Sequence, residues 1–273
     1  MLRNRGRVRR AAPLLAALVA SVALTGCLPV TPPPPPPGVY QGWGFDACQA
    51  PSTGTMQAWL SSPFRSIGVY IGGDNRGCSQ PSLNAGWVST VGNEGWHLAP
   101  LYVGLQAPCT FASQVSTINN TIPNGARVQG TGSADDAITE ANGLGLGPGT
   151  PIYFDMEAYN SADGFCVAIV RDFVTGWVNE LQARGYVAGY YSSSASGIRD
   201  EAQVALNPAY GHPDAIWFAN WDNRGSVFGD PYFSDSLWAN HQRLHQYAGG
   251  HLESWGGVVL DIDSNIDDGP LAA

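Results

Sequence analysis

From about residue 40 onward, reading for alternation of apolar and polar positions picks out eight runs. These are YQGWGFDA (40–47), SIGVYIGG (66–73), HLAPLYVGL (97–105), PIYFDMEA (151–158), YVAGYYSS (186–193), AIWFANWD (215–222), RLHQYAGG (243–250) and GVVLDIDSN (257–265). Such alternation predicts β-strands. Each of the first five runs is followed by a segment with helical character: STGTMQAWLSS (52–62), SLNAGWVSTVGNEG (82–95), SADDAITEANGLG (133–145), FCVAIVRDFVTGWVNELQARG (165–185) and SGIRDEAQVAL (196–206). The fourth is the clearest, with Cys166, Val170, Phe173, Val174, Trp177 and Leu181 at helical spacing and Gly185 as a stop. In the third, Ser133 reads as an N-cap with Asp135 and Asp136 in the first turn. Strand and helix in repeated alternation predict an α/β fold with a parallel sheet closed into a TIM-like barrel. The last three strands lack helices. A glycine-rich loop separates the sixth from the seventh, and GHLESWG (250–256) separates the last two, so the expected plan is five β/α units followed by three β-strands in a single domain.

The N-terminal pattern is different. Five arginines fall in the first ten positions, followed by AAPLLAALVASVAL and then LTGC (24–27). A basic start, a short apolar run and a small-residue cleavage region make a secretory signal, and the run is too short for a confident membrane span. LTGC resembles a bacterial lipobox, which makes residues 1–27 a lipoprotein signal peptide and Cys27 the lipid anchor. Residues 28–39 form a proline-rich stalk containing six consecutive prolines, extended because proline can neither continue a helix nor pair in a sheet. The barrel domain is expected over 40–273. The localisation that follows is export, with the protein membrane-anchored on the outer face of the cell membrane through lipid only, or secreted.

Composition narrows the partners. All 13 basic residues are arginines, and residues 28–273 keep 8 of them (13 − 5) against 22 acids, a formal charge of −14 (8 − 22). That surface repels nucleic acid and anionic lipid. With Cys27 assigned to lipid, Cys48, Cys78, Cys109 and Cys166 remain as an even set in an exported chain, which predicts two disulfides of undetermined connectivity.

Barrel enzymes of this kind carry their chemistry at the C-terminal ends of the strands, and the acids of this chain gather there. Asp46 ends the first strand, Asp155 and Glu157 the fourth, Asp222 the sixth, and Asp261 and Asp263 the eighth. Period-two geometry puts Tyr153, Asp155 and Glu157 on one face and Phe154 and Met156 on the other; with the apolar pair toward the helices, the acids face the lumen. Asp261, Asp263 and Asn265 align in the same way, and closure of the barrel brings the last strand beside Asp46. Several carboxyls in one partly dry lumen cannot all ionise cheaply, so at least one stays protonated near neutrality. A protonated carboxyl beside a negative or polar group is the equipment of glycoside hydrolysis. Tyr159, Tyr191, Trp221 and Tyr247 lie at or beyond strand ends, where flat rings could stack on sugars or pack into the core. The bland alternative is that the acids are hydrogen-bonded supports without turnover.

The blocks GFDACQAP, GVYIGG, PLYVGLQAPC, PIYFDMEAY, GYYSSSASGI, IWFANWD, HQYAGG and DIDSN together resemble the bacterial glycoside-hydrolase-like domain known as domain of unknown function 1906. That family is similar to the lysozymes of glycoside hydrolase family 25, which cut between N-acetylmuramic acid and N-acetylglucosamine on a barrel of five strand-helix units plus three strands. The resemblance implies Glu157 as general acid and base, and Asp155 as a group that orients the acetamido substituent or acts as nucleophile. Asp46 would complete the catalytic set. By the same resemblance Gln246, Tyr247 and Asp261 would contact substrate, with Asp46 and Asp261 positioning the sugar and tuning the neighbouring carboxyls, while Tyr191, Trp221, Asp222 and Asp263 join the substrate-contacting set from their places at strand ends. The favoured disulfides are Cys48 with Cys78 and Cys109 with Cys166, each joining loops after neighbouring strands. A cysteine at position 48, where many family 25 enzymes carry serine, is a departure from the lysozyme pattern.

Other motifs give way. HQRLH (241–245) has the histidine spacing of zinc proteases but carries Gln242 in place of the glutamate and runs into a strand. GLGLGPG (143–149) precedes a strand, whereas a dinucleotide fingerprint follows one. No metal and no cofactor is expected. The leading expectation is a monomeric exported glycoside hydrolase acting on a cell-envelope polysaccharide such as peptidoglycan; the alternative is a non-catalytic saccharide-binding or envelope-remodelling lipoprotein that retains the acidic pocket.

Overall fold

The computed structural model describes residues 38–119, 121 and 124–272. The signal peptide with Cys27 and stalk residues 28–37 lie outside the described residues. Eight strands close in sequence order into one barrel: β1 (Val39–Asp46), β2 (Ser66–Gly72), β3 (His97–Tyr102), β4 (Pro151–Met156), β5 (Val187–Ser193), β6 (Ala215–Ala219), β7 (Arg243–Trp255) and β8 (Val258–Pro270). Neighbours from β1 to β7 pair in parallel, while β8 runs antiparallel to both β7 and β1. The all-parallel expectation is corrected at this one strand. GHLESWG, expected as a connection, belongs mostly to β7. The two strands extend as a hairpin arm beyond the barrel and turn at Gly256 and Gly257, with φ of 57° and 80°, the left-handed pair that a two-residue hairpin turn requires.

Helices α1 (Thr53–Trp59), α2 (Ala85–Asn93), α3 (Gly125–Gly143) and α4 (Gly164–Ala183) follow β1 to β4. After β5 there is only a π turn (Ser194–Ile198) and the four-residue α5 (Arg199–Ala202). Side-chain caps fix three starts: Ser52 Oγ accepts from Thr55 N at 3.2 Å, Asn84 Oδ1 from Trp87 N at 3.0 Å, and Asp163 Oδ1 from Phe165 N and Cys166 N at 3.1 Å. The Ser133 cap is corrected. Helix α3 begins at Gly125, and Ser133 is buried in its interior. Its early turns, GARVQGTG, are too small and polar to show helical periodicity because they serve a close crossing with α4. A Cβ at Gly130 would lie 2.0 Å from Phe173 O, and one at Gly176 would lie 2.0 Å from Arg127 O, so only glycine lets the two backbones approach so closely.

The apolar contacts form two layers. Phe45, Phe154, Met156, Phe173 and Trp177 pack in the layer under the helices. Ala99, Leu101, Tyr153, Ala215, Trp217 and Leu244 fill the lumen, as barrel interiors require. On the helix-free side, the loop after β6 covers the wall. The guanidinium of Arg243, 1% exposed, donates to Val227 O at 2.8 Å, Ser234 O at 3.0 Å and Leu237 O at 3.1 Å. It lies over the rings of Phe228 and Phe233. His245 stacks on Phe218 with centroids 4.2 Å apart and bonds Ser226 O at 2.7 Å and Asn220 O at 2.9 Å. Buried backbone carbonyls must be satisfied where no helix packs, and these two side chains do it.

Candidate active site

At the barrel end where β1 to β7 finish, Asp46 and Asp155 are buried, at 2% and 3% exposure. Asp46 pairs with Asp263 in the β1–β8 register, and Gly44 with Asn265. The antiparallel sense of β8 therefore brings the early residues of that strand to the same end of the barrel as Asp46. Asp46 Oδ2 accepts from Asn265 Nδ2 at 2.8 Å and Gln246 Nε2 at 3.0 Å, and Tyr70 OH donates to its Oδ1 at 3.4 Å. Trp217 Nε1 holds Asn265 Oδ1 at 2.9 Å. Gln246 Oε1 accepts from Trp221 Nε1 at 2.9 Å and Tyr191 OH at 3.1 Å, so one carboxamide ties the cleft wall to Asp46.

Glu157 is the first residue after β4 and stands exposed at the rim. With Tyr191, Ser194, Asn220, Trp221 and Tyr232 it lines an open cleft of about 380 Å³. Asp261 and Asp263 line a second crevice, about 200 Å³, together with Asp46, Cys48 and Gly250. Asp263 also accepts the Gly250 N–H.

The electrostatics follow from burying Asp46 and Asp155 and crowding Glu157 and Asp263 beside them. Burial, then the field of Asp263, pushes Asp46 up to about 7 against the donors Asn265, Gln246 and Tyr70. Asp155 stands well above the usual carboxyl range through burial, then the charges of Glu157 and Asp46, and its Oδ1 is buried without a partner. Glu157 is raised by loss of hydration against the cleft walls, then by Asp263. Asp263 is raised mainly by burial, against the stabilising Gly250 N–H.

Other candidate residues lie apart from the acid cluster. Tyr247 points outward, edge-on to Trp43 with centroids 5.6 Å apart, because its neighbour Gln246 takes the lumenal direction. Asp222 turns into its own loop, where Oδ1 accepts from Arg224 N at 2.8 Å. Tyr159 is buried at 2% exposure in the layer under the helices. Asp261 is exposed opposite Leu252 on the hairpin arm, near the cluster but outside its hydrogen-bond network. Cys48–Cys78 and Cys109–Cys166 are both bonded. Among the described residues, no group of three or more His, Cys, Asp or Glu side chains is arranged to hold a metal, and no helix is long and apolar enough to cross a membrane.

The sequence reading missed Gln106, Tyr70, Asn220 and Tyr232 as parts of the site. Gln106 carried one signal, an amide inside the otherwise apolar run YVGLQAPC.

A sequence model of the Rv2525c-like, glycoside hydrolase-like domain matches residues 57–266, a span that holds every resembling block except GFDACQAP. No curated protein matches the chain. Among solved structures, the spore cortex lytic enzyme SleM of Clostridium perfringens aligns at 13% identity with a TM-score of 0.53, covering 86% of this chain and 69% of that one. An uncharacterized protein of B. stearothermophilus aligns at 16% identity with a TM-score of 0.51, covering 83% and 95%. The modular autolysin LytC of Streptococcus pneumoniae aligns at 15% identity with a TM-score of 0.50; the match covers 83% of this chain and 46% of LytC, under half of that protein's length. At these identities the likeness is one of fold, and all three share the barrel.

Proposed function

The chain belongs to the family of Rv2525c-like, glycoside hydrolase-like domains, and from that premise we propose that it hydrolyses a glycan of the cell envelope, with Glu157 as the proton donor. The observation that carries this reading is the position of Glu157 on the rim of the 380 Å³ cleft, with Asp155 and Asp46 buried behind it. A cleft of that size lies within the range of small-ligand sites, roughly 300–1,000 Å³.

With its proton held more tightly than that of a free carboxyl, Glu157 is suited to give it to the glycosidic oxygen as the C–O bond breaks. The resulting carboxylate then takes a proton from the water that ends on the sugar. Asp155, raised well above the usual range, is suited to donating a hydrogen bond. That supports the role of orienting the sugar's acetamido group over the role of nucleophile. Asp46, tied to Gln246 and through it to Trp221 and Tyr191, sets the lumenal side of the site. LytC is an autolysin and SleM a spore cortex lytic enzyme, which supports peptidoglycan or a related polysaccharide as substrate. Two disulfides fit an oxidising compartment, and with the lipobox resemblance they support an exported, lipid-anchored protein.

Incubating the purified protein with cell wall from several sources and measuring new reducing ends tests the reading. Their release at neutral to mildly acidic pH is the expected result. Binding to every wall preparation without new reducing ends would replace the enzyme with a saccharide-binding module.

A further inference from the structure

We infer that Gln106 is the positioning residue for Glu157, an assignment that rests on the glycosidase reading above. Glu157 lies one residue past the end of β4, where the sheet ladder no longer holds its backbone. The carboxamide of Gln106 takes over. Its Oε1 accepts the Glu157 N–H at 2.7 Å, while its Nε2 donates to Asp155 O at 2.9 Å and Gly104 O at 3.0 Å. Two carbonyl acceptors and one N–H donor fix the orientation of the amide without ambiguity.

Gln106 is itself immobilised. It is 0% exposed, its N–H donates to Ser116 O at 2.9 Å, and its carbonyl accepts from Ile118 N at 2.9 Å. Every hydrogen-bonding group of the residue's backbone and side chain is thus engaged, and a rigid support of this kind is what a proton donor on a short loop needs to hold its geometry. The residue is also neutral, so it braces two acids without adding charge to a cluster already crowded with carboxylates.

Gln106→Met keeps the length and removes the three side-chain bonds. Gln106→Glu keeps the acceptor for Glu157 N–H; in its charged form it faces two carbonyls with no proton to give, and it regains one donor when protonated. Three readouts are taken on the full chain: the Glu157 carboxyl titration by NMR, hydrogen exchange at the Glu157 amide relative to Val174 in α4, and cell-wall hydrolysis. In Gln106→Met, the expected results are a displaced Glu157 titration and at least about tenfold faster exchange at Glu157 alone. The expected kcat is lower by about 10–100-fold with KM nearly unchanged, as a small displacement of a reacting group gives. Gln106→Glu should approach wild-type kcat as pH falls, a rescue that a purely structural role would not produce. A wild-type titration and exchange rate at Glu157 in both variants overturns the assignment. If the wild-type protein shows no turnover, the glycosidase reading fails separately, and the titration and exchange data still decide whether Gln106 holds Glu157.

Discussion

The two ends of the barrel lumen carry matched groups in unmatched surroundings. At one end Asp46 is pushed up to about 7, mainly by burial. At the other, Asp267 is also pushed up to about 7 by burial, with the Ser66 hydroxyl as its opposing donor. Asp46 sits among Asp155, Glu157 and Asp263, beside two openings. Asp267 is closed in, 4% exposed; a Cβ on Gly44 would come within 2.5 Å of its Oδ2, and its charge bears on the phenols of Tyr153 and Tyr40. A perturbed carboxyl is therefore no mark of a site on its own. What separates the ends is an approach for substrate and a second acid within reach.

Substitutions at the two ends should separate in kind. Asp46→Asn is expected to lower wall hydrolysis by about 10²-fold or more, the scale of losing a group that shapes a catalytic cluster, whereas Asp267→Asn should leave kcat and KM within about twofold. Equal losses of activity at both ends would break the comparison. Stability should behave in the opposite sense at Asp267. Its folded value of about 7 exceeds the unfolded 3.8, so the native state binds the extra proton between those values and stability falls as pH rises through that window. A difference of about 3 units is an upper bound of roughly 4 kcal/mol. Urea midpoints measured at pH 4 and pH 8 should therefore differ less in Asp267→Asn than in wild type, with Asp46 keeping its own share of the slope. A smaller effect is expected at the cleft wall: Trp221→Ala removes a 63%-exposed ring and should raise KM several-fold, on the order of 1 kcal/mol of ring contact, with kcat changed less.

The strands were legible because each is a short alternating or continuously apolar run bounded by turn residues, and Phe154 and Met156 against Tyr153 told the faces of β4 correctly. The proximity of Asp263 to Asp46 was also legible from closure, though it depends on an antiparallel β8 that alternation cannot reveal. Tyr247 lies apart from Gln246 for a reason the same geometry gives: adjacent strand residues face opposite ways, so only one of the two enters the lumen. Asp222 lay beyond the last paired residue of β6, where alternation carries no information and a turn hydrogen bond captured the carboxylate. Gln106 was hidden for a different reason. Its site partners are 49 and 51 residues away, and local pattern does not encode contacts at that distance. The start of α3 was lost because glycines selected for close packing carry no hydrophobic period.

The central claim is that Glu157 moves the proton in glycosidic cleavage. The most direct measurement compares new reducing ends released from cell wall by the wild-type protein and by Glu157→Gln, with urea midpoints taken on both to show equal folding. A loss of about 10²–10⁴-fold in rate with an unchanged midpoint is the expected result. Wild-type rates in Glu157→Gln would contradict the account and move the catalytic role away from the rim of β4.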